Sequence, residues 1–281
     1  MNKTSIIAIL ISTIIIFSCS KDTIIPDEKI VQLEIPRGFP DVDLPDNNQL
    51  TQAKIDLGKE LFFEKLFSRD SSLSCSSCHM QEHAFTDALQ NSRGIDNQLV
   101  LRNSTPLFNL AWRKQFFRDG GVQILELVAL NSINAHDEFD INTSILTQRL
   151  KSIPRYVQLY RTAFNDTISL NKTLFALASF QRTLISGNSD YDKYTFYNNT
   201  NTLSASQLRG KDLFFSDKTD CSACHGGFNF SNESIQSNGY FSTYPDSGRQ
   251  RITLHESDRG KFVVPSLRNI ALTAPYMHNG S

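Results

Sequence analysis

The pentapeptide Cys75-Ser76-Ser77-Cys78-His79 returns, with one side chain altered, as Cys221-Ser222-Ala223-Cys224-His225. The two copies take up four of the five cysteines and two of the six histidines in a chain of 281 residues. Each follows the same kind of segment, Gly58-Lys59-Glu60-Leu61-Phe62-Phe63 before the first and Gly210-Lys211-Asp212-Leu213-Phe214-Phe215 before the second. Both segments close an apolar helical pattern that runs towards its cysteines. One unit, a helix followed by CxxCH, is thus used twice, which points to duplication, and any fold for this chain has to place two such units.

The chemistry of the motif follows by elimination. Two cysteines two residues apart would close a disulfide loop typical of redox centres, and a structural bridge gives no reason for a histidine beside each. A shared zinc site would bring the pairs together, and zinc ribbons space them about 15 to 20 residues apart, whereas here more than a hundred residues intervene. A c-type haem suits the pattern: two thiols bond to the porphyrin vinyl groups, and the adjacent imidazole reaches the iron from the same turn. The expectation is two covalently bound haem c groups, one on Cys75 and Cys78 and one on Cys221 and Cys224, with His79 and His225 as proximal iron ligands.

The length allows one large domain or two small ones. With 28 basic and 29 acidic residues the chain has almost no net charge, so nothing in it favours nucleic acid or an anionic membrane surface as partner. Lys3 precedes an apolar run, residues 6–17, too short to span a bilayer and suited to the core of a signal peptide. It ends at Ile16-Phe17-Ser18-Cys19, which resembles a bacterial lipobox. Residues 1–18 are therefore read as a lipoprotein signal peptide and Cys19 as the lipidated residue. Four of the nine prolines (Pro26, Pro36, Pro40, Pro45) fall in 20–49 without helical period, and 19–45 reads as a tether. Helical patterns then dominate, notably at 51–67, 142–151, 155–164, 169–186 and 204–215, so the fold class is mainly α.

The other face of each iron decides function: an iron with two protein ligands passes electrons, and one with an open face can bind peroxide or oxygen. The candidates are His83, His136, His255, His278, Met80 and Met277. Met80 and His83 follow His79 too closely to reach across their own haem, so no sixth ligand presents itself near the first motif.

Several motifs in register carry a resemblance: Ala84-Phe85-Thr86-Asp87, Ser92-Arg93-Gly94, Arg102-Asn103-Ser104-Thr105-Pro106, Phe116-Phe117-Arg118-Asp119-Gly120, Arg182-Thr183-Leu184-Ile185-Ser186-Gly187, Val264-Pro265-Ser266-Leu267-Arg268-Asn269 and Leu272-Thr273-Ala274-Pro275-Tyr276-Met277-His278. With the two CxxCH motifs, the chain from about Pro45 onward resembles the bacterial dihaem cytochrome c peroxidases, a family that includes the MauG-type enzymes. The resemblance implies two cytochrome c-like haem domains, an N-terminal peroxidatic one (46–190) and a C-terminal electron-transfer one (191–281), with calcium between them. It places Glu138 at the distal acid/base, and calcium at Asn103 with the carbonyls of Thr273 and Pro275.

There are departures from the family pattern. Ile95 falls where classical members carry a removable distal histidine and cannot ligate iron. Arg118 stands where a tryptophan usually lies between the haems, leaving Trp112, the single tryptophan, as a substitute. Val128 replaces a distal glutamine. The motif that closes the sequence is followed in the family by more helix carrying the second haem's distal ligand, so the resemblance implies a truncated C-terminus.

The resulting expectation is reduction of hydrogen peroxide with electrons from a small cytochrome c or cupredoxin. It sets the protein on the periplasmic face of a bacterial membrane, the outer one being favoured, held by its lipid anchor, and a homodimer stays open. A dihaem electron carrier without peroxidase activity and a MauG-type protein-modifying oxidase are the alternatives.

Overall fold

The computed structural model describes residues 29–281. It is mainly helical: α1 (Gln52–Phe62), α2 (Val128–Asn134), α3 (Thr143–Lys151), α4 (Pro154–Phe164), α5 (Leu170–Arg182), α6 (Asp190–Phe196), α7 (Ala205–Phe214), α8 (Cys221–His225) and α9 (Gln250–Thr253). A two-residue antiparallel pair, β1 (Ile235–Gln236) with β2 (Phe262–Val263), is the one sheet among the described residues.

The packing begins with α1 and α5. Thr51 caps α1 by accepting from Lys54 N, and Leu57, Leu61 and Phe62 are completely buried. Burying each such side chain contributes about 1.5–3 kcal/mol. Gly58 lets the helices approach, since a Cβ there would lie 1.9 Å from the Ala176 carbonyl of α5. α4 starts on Pro154, whose missing N–H costs nothing at a first helical position. Its Tyr160 hydroxyl meets Thr173 Oγ1 of α5 at 2.6 Å. A continuous apolar core runs from Leu57 to Phe180 and lies wholly in the first two thirds of the chain.

Two expected helices are shorter in the structure. The segment 51–67 breaks after Phe62 because the Glu64 side chain accepts from Leu66 N and starts a separate turn, Lys65–Phe67. The segment 169–186 stops at Arg182, and the strand-like residues beyond are held by Asn109, which accepts from Ser186 N and donates to its carbonyl at 2.8 and 2.9 Å.

Residues 29–49, expected to belong mostly to a tether, lie on the body. Val31 N donates to the Leu50 carbonyl at 2.8 Å, Asn48 donates to buried Glu126 at 2.9 Å, and Phe39 packs between Trp112 and Phe228. Side chains far away in sequence supply these contacts, so local composition does not report them. Cys19 and Pro26 lie outside the described residues.

The last third is joined to the first largely through polar seams. Arg102 bridges Asp119 and Asp246 at 2.6 and 2.7 Å. Arg249 donates to the carbonyls of Asp119 and Gly120, and Asn109 donates to Asn229 at 3.0 Å. Within the last third, buried Arg268 makes a two-pronged pair with Asp192 of α6, both contacts at 2.8 Å.

Candidate functional site

Each CxxCH forms a tight turn whose histidine is held by a returning carbonyl. Cys75–Ser77 make one 3-10 turn, and His79 Nδ1 lies 2.9 Å from the Phe85 carbonyl. Ala84 and Phe85, both left-handed at φ 51° and 62°, turn the chain back to deliver that oxygen. In the second copy the cysteines lie on α8, and His225 Nδ1 is 3.2 Å from the Phe230 carbonyl. Phe230 is again left-handed, at φ 49°. Donating Nδ1–H to a carbonyl leaves the lone pair on Nε2, the form in which imidazole binds a metal.

The residues suit haem better than the rival groups. Cys75, Cys78, Cys221 and Cys224 are free thiols, and the described residues hold no cluster of three or more His, Cys, Asp or Glu placed to share a metal ion. Burial, reinforced by the neighbouring Cys78, pushes the Cys75 thiol up to about 12. Burial likewise pushes Cys78 up to about 11. Burial also lowers the pKa of His79, keeping it neutral. A cavity of about 500 Å³ lies beside the loop that follows the first turn, lined by Phe63, Phe85, Phe108 and Phe180 together with Lys59 and Gln81 among others. α7 buries none of its own residues, so Leu213 and Phe215 remain open to a large flat apolar group beside the second turn.

Glu138 is brought to the first motif and not to the second. Its charge raises the pKa of both Cys75 and Cys78, which places the carboxylate beside that turn. Burial raises its own pKa, partly countered by a hydrogen bond from Ser132 and reinforced by Asp137. The carbonyl of Glu138 accepts from Ile95 N at 2.9 Å. Gly94 makes this approach possible, because a Cβ there would sit 1.9 Å from the Asp137 carbonyl. Ile95 is thereby buried against the segment that carries the acid, 1% exposed.

The remaining candidates divide. His136 is exposed and paired with Asp140 at 2.6 Å. His278 stacks on Phe262 at 4.1 Å between ring centres, and Met277 Sδ accepts from Asn238 at 3.5 Å. Met80 pairs with Thr86 across the turn. Trp112 lies at the seam, donating to the Pro40 carbonyl at 2.8 Å and packing on Phe228, three residues past His225. Asn103 lies next to the closing motif, its N–H donating to the His278 carbonyl at 2.9 Å. Its Oδ1 accepts from Arg118 at 2.5 Å, so the oxygen expected to face calcium already has a cationic partner. No hydrogen bond ties Thr273 or Pro275 to Asn103 in the structure.

Two residues with functional contacts were not singled out from the sequence. Ser104 donates to the Cys78 carbonyl at 2.9 Å and lies 3.3 Å from His79 Nδ1. The Arg102–Pro106 motif that contains it was the available signal. Ser132, the partner of Glu138, had none.

A helical fold carrying two such turns, each with paired free thiols and a histidine poised through Nε2, defines a c-type dihaem protein. The family described as di-haem cytochrome c peroxidase matches residues 52–201. The methylamine utilization protein MauG of Methylorubrum extorquens is 35% identical over 240 residues, covering 84% of this chain and 67% of that protein. The cytochrome c551 peroxidase of Pseudomonas aeruginosa is 33% identical over 241 residues, covering 82% of this chain and 69% of the relative. Among solved structures, a MauG-like protein associated with microbial copper homeostasis superposes with a TM-score of 0.84 at 31% identity, covering 89% of this chain and 79% of its own. The chain belongs to the di-haem cytochrome c peroxidase family.

Proposed function

We propose that this protein reduces hydrogen peroxide at the first haem site, with Glu138 as the acid/base and the second site relaying electrons from a small periplasmic cytochrome c or cupredoxin. The reaction consumes one peroxide, two protons and two electrons and yields two waters. Haem iron held by His79 supplies the peroxide-binding and redox chemistry. The protein's part is proton handling. One proton has to leave the near oxygen and one has to reach the departing oxygen, so that water leaves instead of hydroxide. The observation that carries the reading is the enclosure of Glu138 beside Cys75 and Cys78: burial raises its pKa towards the range in which a carboxyl can both take and return a proton. Val128, packed on the apolar core, offers no second polar group.

Ile95 supports an iron face that needs no reductive opening, since its side chain is aliphatic and buried. The matched histidine turns support descent of the two units from one, with domains at 46–190 and 191–281. Export with a lipid anchor on Cys19, facing the periplasm, is the setting that the lipobox favours. Calcium at Asn103, Thr273 and Pro275 would have to displace the Arg118 guanidinium from the Asn103 oxygen.

The electron-carrier reading is favoured by one observation, Arg118 in place of the aromatic residue between the sites. The MauG-type reading rests on the similarity to MauG proteins. Steady-state peroxide consumption with a reduced small cytochrome separates enzyme from carrier. Glu138→Gln is expected to keep both haems and their spectra while lowering turnover by about 10²- to 10⁴-fold, and Asp137→Asn to leave it nearly unchanged. A Glu138→Gln protein as fast as the parent overturns the assignment of the acid.

A further inference from the structure

We propose that the guanidinium of Arg118 is itself the cation of the Asn103 site, and that no calcium ion binds there. Asn103 is almost fully buried and every polar atom of its side chain is engaged: Nδ2 donates to the Leu89 carbonyl at 2.9 Å, and Oδ1 accepts from Arg118 Nη2 at 2.5 Å. Arg118 also directs Nε and Nη2 at the Asn103 carbonyl and Nη2 at the Ser104 carbonyl, each at 3.4 Å. An amide oxygen and two carbonyls are the neutral oxygen donors that a hard cation seeks. Here they converge on a charge carried by the chain.

The surroundings make a second cation there unfavourable. The nearest charges acting on Arg118 are Arg113 and Arg102, and both are cationic. Each already has its own carboxylate, Glu233 for Arg113 and Asp119 with Asp246 for Arg102. A calcium ion at the usual distance of about 2.3–2.6 Å from Oδ1 would stand within about 5 Å of Nη2. No group of three or more His, Cys, Asp or Glu among the described residues is placed to hold a metal ion. The position of Arg118 is fixed by its own backbone, whose carbonyl accepts from Val263 N of β2 at 2.8 Å. The guanidinium is thus held on Asn103 and Ser104 by a residue whose backbone is pinned to the second half, and a chelator cannot remove it.

The inference rests on family membership, which implies the ion, and not on the peroxidase reading, so the two fail separately. The test uses the exported, haem-loaded protein, equilibrated with calcium chloride and desalted, with calcium and iron measured by elemental mass spectrometry. The expected result is two irons per chain with calcium far below one, and the same melting temperature in calcium as in EGTA. One calcium per chain, with a melting temperature that falls on chelation, overturns the proposal. Arg118→Gln, which removes the charge and frees Oδ1, is expected to take up one calcium and to melt higher in its presence. Arg118→Lys, which keeps a charge, should stay calcium-free. If Arg118→Gln folds and binds no calcium, the guanidinium is not what excludes the ion, and the assignment falls.

Discussion

Gly58 and Gly210 occupy the same place in two copies of one sequence unit, yet a methyl group added at the first would meet the Ala176 carbonyl at 1.9 Å and at the second would meet nothing within 4 Å. The difference extends through both units. α1 is sunk into the apolar core by Leu57, Leu61 and Phe62, whereas α7 buries no residue at all. The first histidine turn lies beside Glu138, a half-buried carboxyl whose pKa desolvation raises. The second keeps its histidine geometry but is tied by Asn232, which donates to the Ala223 and Cys224 carbonyls at 2.9 Å, and among the described residues no carboxyl whose pKa is raised by burial lies beside it. Enclosure excludes water and raises the pKa of a carboxyl, as proton transfer to peroxide requires. An electron relay needs neither, and an accessible edge suits contact with a donor protein.

The largest expected effect probes what holds the second half together. Arg268→Leu leaves Asp192 buried and unpaired, and breaking such a pair costs about 3–5 kcal/mol. Because the apolar core lies outside this half, hydrogen exchange should accelerate mainly beyond residue 190. Acceleration spread evenly over the chain would break the comparison. The same pair has a pH signature. Burial pushes Asp192 up, but the hydrogen bonds from Arg268 and Ser189 hold it below its usual range. Its contribution is therefore present above the unfolded value of about 3.9 and is lost as pH falls through the lower folded value.

The paired glycines come next. Gly58→Ala has to push α1 off the α5 backbone, with an expected loss of about 1–3 kcal/mol or more. Gly210→Ala, in the middle of an open helix, should gain about 0.5–1 kcal/mol. Thermal melts of the two haem-loaded variants check both signs. Equal losses would mean that the second helix is packed as tightly as the first.

A smaller effect concerns the acid limb of kcat/KM for peroxide. Burial disfavours the ionised form of Glu138, so its basic form appears only above the ordinary carboxylate value of about 4.3. Activity should rise with pH through a limb displaced upward from that value, and the limb should vanish in Glu138→Gln. A limb at the unperturbed value would place Glu138 in solvent.

How much of this was legible in the sequence depends on how local each signal is. The repeated helix and CxxCH are contiguous, and the helices of residues 142–151, 155–164 and 204–215 agree closely with α3, α4 and α7. α6 carried a readable start in the Ser189 and Asp192 capping box, whereas α2 begins on Leu127 with no side-chain cap. The packing of Phe39 against Trp112 and Phe228 depends on three distant segments, so a proline-rich stretch looked like a tether. The nearness of Glu138 to Cys75 is equally non-local. Resemblance to a family pointed to it, and nothing in the surrounding residues distinguishes it from Asp137. The same resemblance could not reveal that Arg118 reaches Asn103, because that contact joins two motifs through a residue in which this chain departs from the pattern.

The claim that the first site, beside Glu138, is an open reaction centre and the second a relay is tested most directly by electron paramagnetic resonance of the fully oxidised, haem-loaded protein. Ile95 has no ligating atom, so the account predicts a high-spin ferric signal from the first haem before any reduction, one that changes on adding peroxide. Purely low-spin signals from both haems would contradict it.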